Sequence, residues 1–90
     1  MSERVKLGKS TYFVRDAANP AQVGGVDRFV VCSNQHPVVV NRSSGQTFYV
    51  TYKSKRKARA TAINLTAAGL PCGVFDKEIN GYLRMEESDG

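Results

Sequence analysis

Residues 46–69, QTFYVTYKSKRKARATAINLTAAG, carry the chain from a strand directly into a helix. Residues 47–52 are β-branched or aromatic, the composition of a strand. Ser54 then offers a side-chain oxygen to the free amides of the following turn, as an N-cap does. Gly69 accepts a positive φ and Pro71 cannot continue a helix, so the pair marks its end. At about 100° per residue, Leu65, Ala58, Ala62 and Gly69 share a narrow arc that Ile63 and Leu70 extend. The small residues on that arc predict a helix lying close to a sheet, with Arg56, Lys57, Ala60, Asn64 and Ala68 turned away and Lys55 and Arg59 on the flank.

The start of this helix is unusual in charge. Lys53, Lys55, Arg56, Lys57 and Arg59 place five cations within seven residues, at the positive end of the helix dipole. A cation there costs about 0.3–1 kcal/mol where Asp or Glu would help. Free amides, dipole and cations together favour an anion, and phosphate is the commonest biological candidate. The bland alternative is a solvated helix start that tolerates its charges.

The charge around this stretch is asymmetric as well. Up to Arg59 the chain holds 11 Lys or Arg against Glu3, Asp16 and Asp27, while from Ala60 onward the balance is −3. Such separation predicts a basic surface and an acidic tail at 86–90, frayed at the chain end. Ninety residues make one small domain over 1–90. The amino-terminal MSERVKLGKS lacks an apolar signal region, and no apolar run reaches the length of a membrane span. The expectation is a cytoplasmic protein with no membrane association. Cys32 and Cys72 match no zinc or redox spacing and read as free thiols.

Outward from the central stretch, short strands alternate with turns. Val5 and Leu7 mark a short edge strand, and 11–14 (TYFV) a better one. Residues 16–27, DAANPAQVGGVD, form the clearest loop, with room for one helical turn after Pro20; loops of this length are often functional. Residues 28–32 (RFVVC) return as a central strand. Val38, Val39 and Val40 form the next, paired with 47–52 as a hairpin. After the helix, 73–75 and 82–85 flank the turn dipeptide Asn80-Gly81 as a second hairpin. The fold class expected is α+β: a mostly antiparallel sheet of about five to seven short strands packed on one helix at about 54–69. The second face of the sheet is covered by the N-terminal strands, by another subunit or by a ligand.

The run FYVTYKSKRKARATAI resembles the third strand and second helix of an RNA-recognition motif. That family's basic–Gly–aromatic–small–aromatic–Val–any–aromatic signature is echoed where Tyr49, Val50, Thr51 and Tyr52 end the strand. Ala58 and Ala62 match alanines of the family's helix, and 11–14 resembles its first strand. The resemblance implies an RNA-binding fold in which aromatics on an open sheet face stack on bases. By alternation Tyr49 shares a face with Thr47 and Thr51, and Phe48, Val50 and Tyr52 share the other. SKRKARATA is also similar to the phosphate-binding helix of double-stranded-RNA-binding domains. Over residues 46–69, both resemblances imply phosphate recognition.

Catalytic motifs are not in view. His36, the single histidine, lies in a turn beside Pro37; it serves solvent or a carbonyl there. Cys32 and His36 have no orienting acid placed by motif. Gly24-Gly25 is a turn signal and no phosphate loop. Asp76 and Glu78 read as solvated carboxylates, so no metal site and no cofactor is expected. Phe13, Phe29, Phe48 and Phe75 read as core. The functional expectation is a non-enzymatic nucleic-acid-binding domain, for DNA or RNA. Lys53, Lys55, Arg56, Lys57 and Arg59 hold phosphates, Arg42 adds a backbone contact, and Tyr49 or Tyr52 adds a base contact. The alternative is an accessory or inhibitor protein, of the kind phages and mobile elements carry, that binds an acidic surface of a partner protein. A homodimer through an exposed edge, at 38–41 or 4–7, or through the open sheet face, is compatible with either.

Overall fold

A computed structural model describes residues 4–83. The expected acidic tail at 86–90, with Arg84 and Met85 of the expected last strand, lies outside the described residues. The chain forms an α+β fold in which one helix packs on an antiparallel sheet of eight short strands. These are β1 (Arg4–Leu7), β2 (Ser10–Val14), β3 (Phe29–Ser33), β4 (His36–Asn41), β5 (Thr47–Tyr49), β6 (Thr51–Tyr52), β7 (Gly73–Asp76) and β8 (Gly81–Tyr82). The helix, α1, spans Lys55–Ala68.

A tight turn organises the sheet. Asn34 and Gln35 both have positive φ, 53° and 70°, the backbone of a two-residue hairpin turn whose twist suits the strands beside it. β3 and β4 pair only at the root of this hairpin, Cys32 opposite Pro37 and Ser33 opposite His36. Beyond it they splay. Into the gap comes the expected strand at 47–52, which is bent into two arms at Val50. β5 pairs with β4 and β6 pairs with β3. At the apex, the Val50 amide donates to the Val38 carbonyl at 3.0 Å, and the Val50 carbonyl accepts from the Val31 amide at 2.9 Å. The sheet is thus two halves, β1-β2-β4-β5 and β6-β3-β7-β8, joined at one corner. The expected pairing of β4 with β5 holds, but residues 38–41 are not an edge, since β4 also pairs with β2. Residues 4–7 are an edge, because β1 pairs with β2 alone.

The helix closes one face. Ala58, Ala62 and Leu65 are fully buried against Phe29, Val31, Val38, Val40, Val50 and Val74. Tyr52 anchors the same packing, its hydroxyl 2.8 Å from the Thr61 Oγ1. Ser54 caps the start, accepting from the Lys57 amide, and has extended backbone angles as an N-cap requires. At the other end Gly69 has φ 115°, its amide donates to the Thr66 carbonyl, and the Leu70 amide donates to the Leu65 carbonyl at 2.9 Å. This is a Schellman ending, which needs the left-handed residue that glycine supplies. Two expectations for the arc fail: Ile63 is 55% exposed and Gly69 faces solvent. Leu70, also expected on the arc, is buried although it lies beyond the helix.

The opposite face of the sheet is half covered. A loop from 15 to 28, with one 3-10 turn at Pro20–Gln22, folds back over the β3-β6-β7 half. Val23 from this loop is buried with Val30, Cys32 and Phe75, and Tyr49 and Ala18 pack at the rim. Gly24 lies so near Thr51 that an added Cβ would meet Thr51 Cγ2 at 2.6 Å. The Thr51 hydroxyl donates to the Asp27 carboxylate at 2.8 Å. At the end of the loop Arg28 donates through Nε and a terminal nitrogen to both oxygens of Asp76, at 2.7 and 2.8 Å. The length of this loop is therefore explained by packing: it is a cover.

Truncating Leu65 to Ala is expected to lower the unfolding free energy by about 2–5 kcal/mol. Ile63→Ala should stay within about 0.5 kcal/mol of the parent; urea titration of both variants checks this. The Arg28 guanidinium also holds the Asp76 carboxyl below its ordinary range. A lowered folded value means that the pair stabilises fully above the unfolded carboxyl value of about 3.9 and loses this contribution as pH falls below it. Thermal melts of Asp76→Asn should therefore differ most from the parent near neutral pH, and the difference should shrink through the acid limb.

Candidate nucleic-acid interface

The basic helix start is a surface feature of a rigid element. Packing of Ala58, Ala62 and Leu65 fixes the rotation of α1, and that rotation sorts the cations. Lys55, Arg56 and Arg59 fall on one stripe with Ala60 and Ile63, and together these five line a shallow depression of about 460 Å³. Lys57 lies on the other flank of the helix. Lys53 is exposed just before the cap. Among the described residues the ion pairs are those of Arg28 with Asp76 and Glu78, and none involves these five cations. No acidic residue stands in the first turn. The amides of Lys55 and Arg56 have no acceptor inside the helix, so donors and charge face outward together.

The remaining expected site residues divide between the two faces. Arg42, in the turn after β4, is exposed, and its guanidinium stacks 5.7 Å from the Phe48 ring. Phe48 is not the core residue that its type predicts: in β5 it is 46% exposed, because the sheet edge there extends past the helix. Register puts Phe48 in line with Val40 and Tyr12, on the helix-bearing face. The Tyr12 hydroxyl is raised by burial and by nearby Tyr52, with the Arg42 charge opposing the shift. Arg42 therefore sits on the same face as the helix. Tyr52 is there too, yet its ring belongs to the core and its hydroxyl to Thr61. It has packing work and no free face for a base. Tyr49 sits on the other side of the sheet, under the Arg15 guanidinium at 5.7 Å. Of the two tyrosines expected as a base contact, Tyr52 is thus the one beside the basic helix and Tyr49 is on the far face, since a strand of alternating faces cannot point residues 49 and 52 the same way.

Cys32 and Cys72 are free, and burial pushes both thiols up to about 12. Cys32 points to the face covered by the loop and Cys72 to the helix side. His36 opens β4, half-buried. Among the described residues no cluster of three His, Cys, Asp or Glu side chains is present, and no helix is long and apolar enough to cross a membrane.

No protein-family model, curated protein or solved structure matches the chain. The geometry stands by itself.

Native protein at mildly alkaline pH should react slowly with a thiol-directed disulfide reagent, because neither sulfur is ionised there. Both should react at once in urea; fast labelling of the native state would contradict the placement of the two sulfurs.

Proposed function

We propose that this protein is a small, non-enzymatic, cytoplasmic nucleic-acid-binding domain that takes hold of phosphates at the start of α1. The observation that supports this reading is the stripe of Lys55, Arg56 and Arg59 around an open depression, with no carboxylate partner among the described residues. Cations at the positive end of a helix dipole destabilise the free protein, and a polyanion turns that cost into affinity. Lys53 and Lys57 flank the stripe and widen the field, and Arg42 reaches the same face from the hairpin turn. Binding of this kind is electrostatic and tolerant of sequence.

A second reading has one observation in its favour. Ile63, largely exposed, shares the depression with the three cations, and an apolar side chain ringed by charge suits an acidic protein surface as well as a phosphate chain.

Fluorescence anisotropy against short single- and double-stranded DNA and RNA separates the two. Binding should weaken steeply as salt rises. Lys55→Ala/Arg56→Ala/Arg59→Ala should reduce the logarithmic salt slope by about two, at roughly 0.7 for each single-strand phosphate no longer neutralised. The same variant should melt at a higher temperature than the parent, because it removes charge repulsion at the helix start. An unchanged affinity would rule the stripe out. No binding at low salt, together with a nuclease-resistant complex with an acidic protein, would decide for the second reading.

A further inference from the structure

The loop from 15 to 28 covers only half of the sheet face opposite the helix, and the other half is formed by β1, β2, β4 and β5. Register decides what that half presents. Val5, Tyr12, Val40 and Phe48 are aligned on the helix side, with Val5 and Tyr12 packed on its core. Arg4, Phe13, Val39 and Tyr49 are therefore aligned on the opposite side, as their pairing Arg4 to Phe13, Phe13 to Val39 and Val39 to Tyr49 requires. Beside this row runs a polar one, Lys6, Thr11, Asn41 and Thr47, again cross-strand partners. Arg15, the residue after β2, completes the face.

This surface has the parts of a stacking platform. Phe13 and Tyr49 are both half-buried, and Val39 between them is 1% exposed. Two strand spacings separate the rings, about 10 Å. Each ring carries an arginine: Arg4 lies 5.2 Å from the Phe13 centroid and Arg15 lies 5.7 Å from that of Tyr49. A guanidinium lying on a ring extends the flat surface and offers a second plane on which a base can lie. Arg4, Lys6 and Arg15 supply three positive charges, and the described strands place no carboxylate on this face. Single-stranded nucleic acid matches such a surface in both respects, because its bases have free π-faces and its backbone is anionic. A duplex has its bases already stacked. A second copy of this chain matches less well: it would bring the same cations into opposition, and Arg4 and Lys6 on the edge strand oppose edge-to-edge pairing.

We propose that the uncovered face of β1, β2, β4 and β5 binds single-stranded nucleic acid by stacking bases on Phe13 and Tyr49, with Arg4, Lys6 and Arg15 neutralising its phosphates. This rests on the nucleic-acid reading above and adds to it the class of strand and a second contact surface. Thr11, Asn41 and Thr47 lie where they can meet sugar or base edges.

The test uses the full chain with oligothymidylate, oligouridylate and a DNA duplex as probes. Phe13→Leu/Tyr49→Leu keeps apolar contact beneath the rings and removes the stacking surfaces. It is expected to weaken single-strand binding on the order of tenfold per ring, with the salt slope retained and duplex binding little changed. The chain contains no tryptophan, so Tyr49→Trp introduces a single reporter whose fluorescence a stacked base should quench. If the double variant is poorly folded by circular dichroism, Asn41→Glu carries the test: the position is exposed, and a carboxylate there should weaken single-strand binding about tenfold or more by repelling the phosphates. Single-strand affinity unchanged in these variants, or no quenching of Tyr49→Trp, overturns the proposal. If Lys55→Ala/Arg56→Ala/Arg59→Ala still weakens binding in that case, the helix reading stands without the platform. A parent protein that binds no oligonucleotide at low salt overturns both, and equal losses for duplex and single strand overturn the stacking assignment.

Discussion

Two hydrogen bonds at Val50 hold the architecture together. Past the root of their hairpin, β3 and β4 diverge, and each turns backbone amides and carbonyls towards the gap. Buried backbone groups of this kind must find partners. Val50 meets one from each strand, donating to Val38 and accepting from Val31. β5 and β6 then continue the ladders outward along β4 and β3. The bend is what makes two half-sheets from one hairpin, and it aims the end of β6 at the point where α1 begins. Val50 is also almost fully buried in the helix-side core, so the wedge is held by polar and apolar contacts alike.

From this geometry follows the division of labour between the faces. One helix covers the first side, reaching β1 at one margin and β7 at the other. Among the described residues one loop covers the far side, and it packs on one half. Val23, Gly24 and Asp27 hold it against β3 and β6, while Arg28 and Asp76 tie its end to β7. The half-sheet that remains is rich in arginine and aromatic rings. Among the described residues no other segment lies over it.

The helix is built unevenly. Its C-terminal end has a Schellman ending, and the Thr66 hydroxyl donates to the Ala62 carbonyl and accepts from the Cys72 amide. Its start has one serine cap and five cations facing the positive end of the dipole. Packing of Ala58, Ala62 and Leu65 tolerates this, because burial against the sheet outweighs about 0.3–1 kcal/mol per charge. Such a charged start on a rigid helix is oriented before any partner arrives, so a bound polyanion need not order it.

Much of the fold was legible in the sequence by itself. The helix and both its caps follow from Ser54, Gly69 and the spacing of Ala58, Ala62 and Leu65, because local hydrogen bonding and a period of about 3.6 residues are properties of near neighbours. The strands and hairpin turns follow from composition and punctuation in the same way, as does the cation cluster ending at Arg59. Tertiary structure alone decided the bend at Val50, since it depends on the divergence of two strands well removed from it in the chain. It also decided the exposure of Ile63 and Phe48. Arg4, Lys6, Phe13 and Arg15 were missed as site candidates for the same reason. Alternation shows that residues share a face, but only cross-strand register shows which strands stand side by side. Only the path of the loop from 15 to 28 shows which half of that face stays open to a ligand.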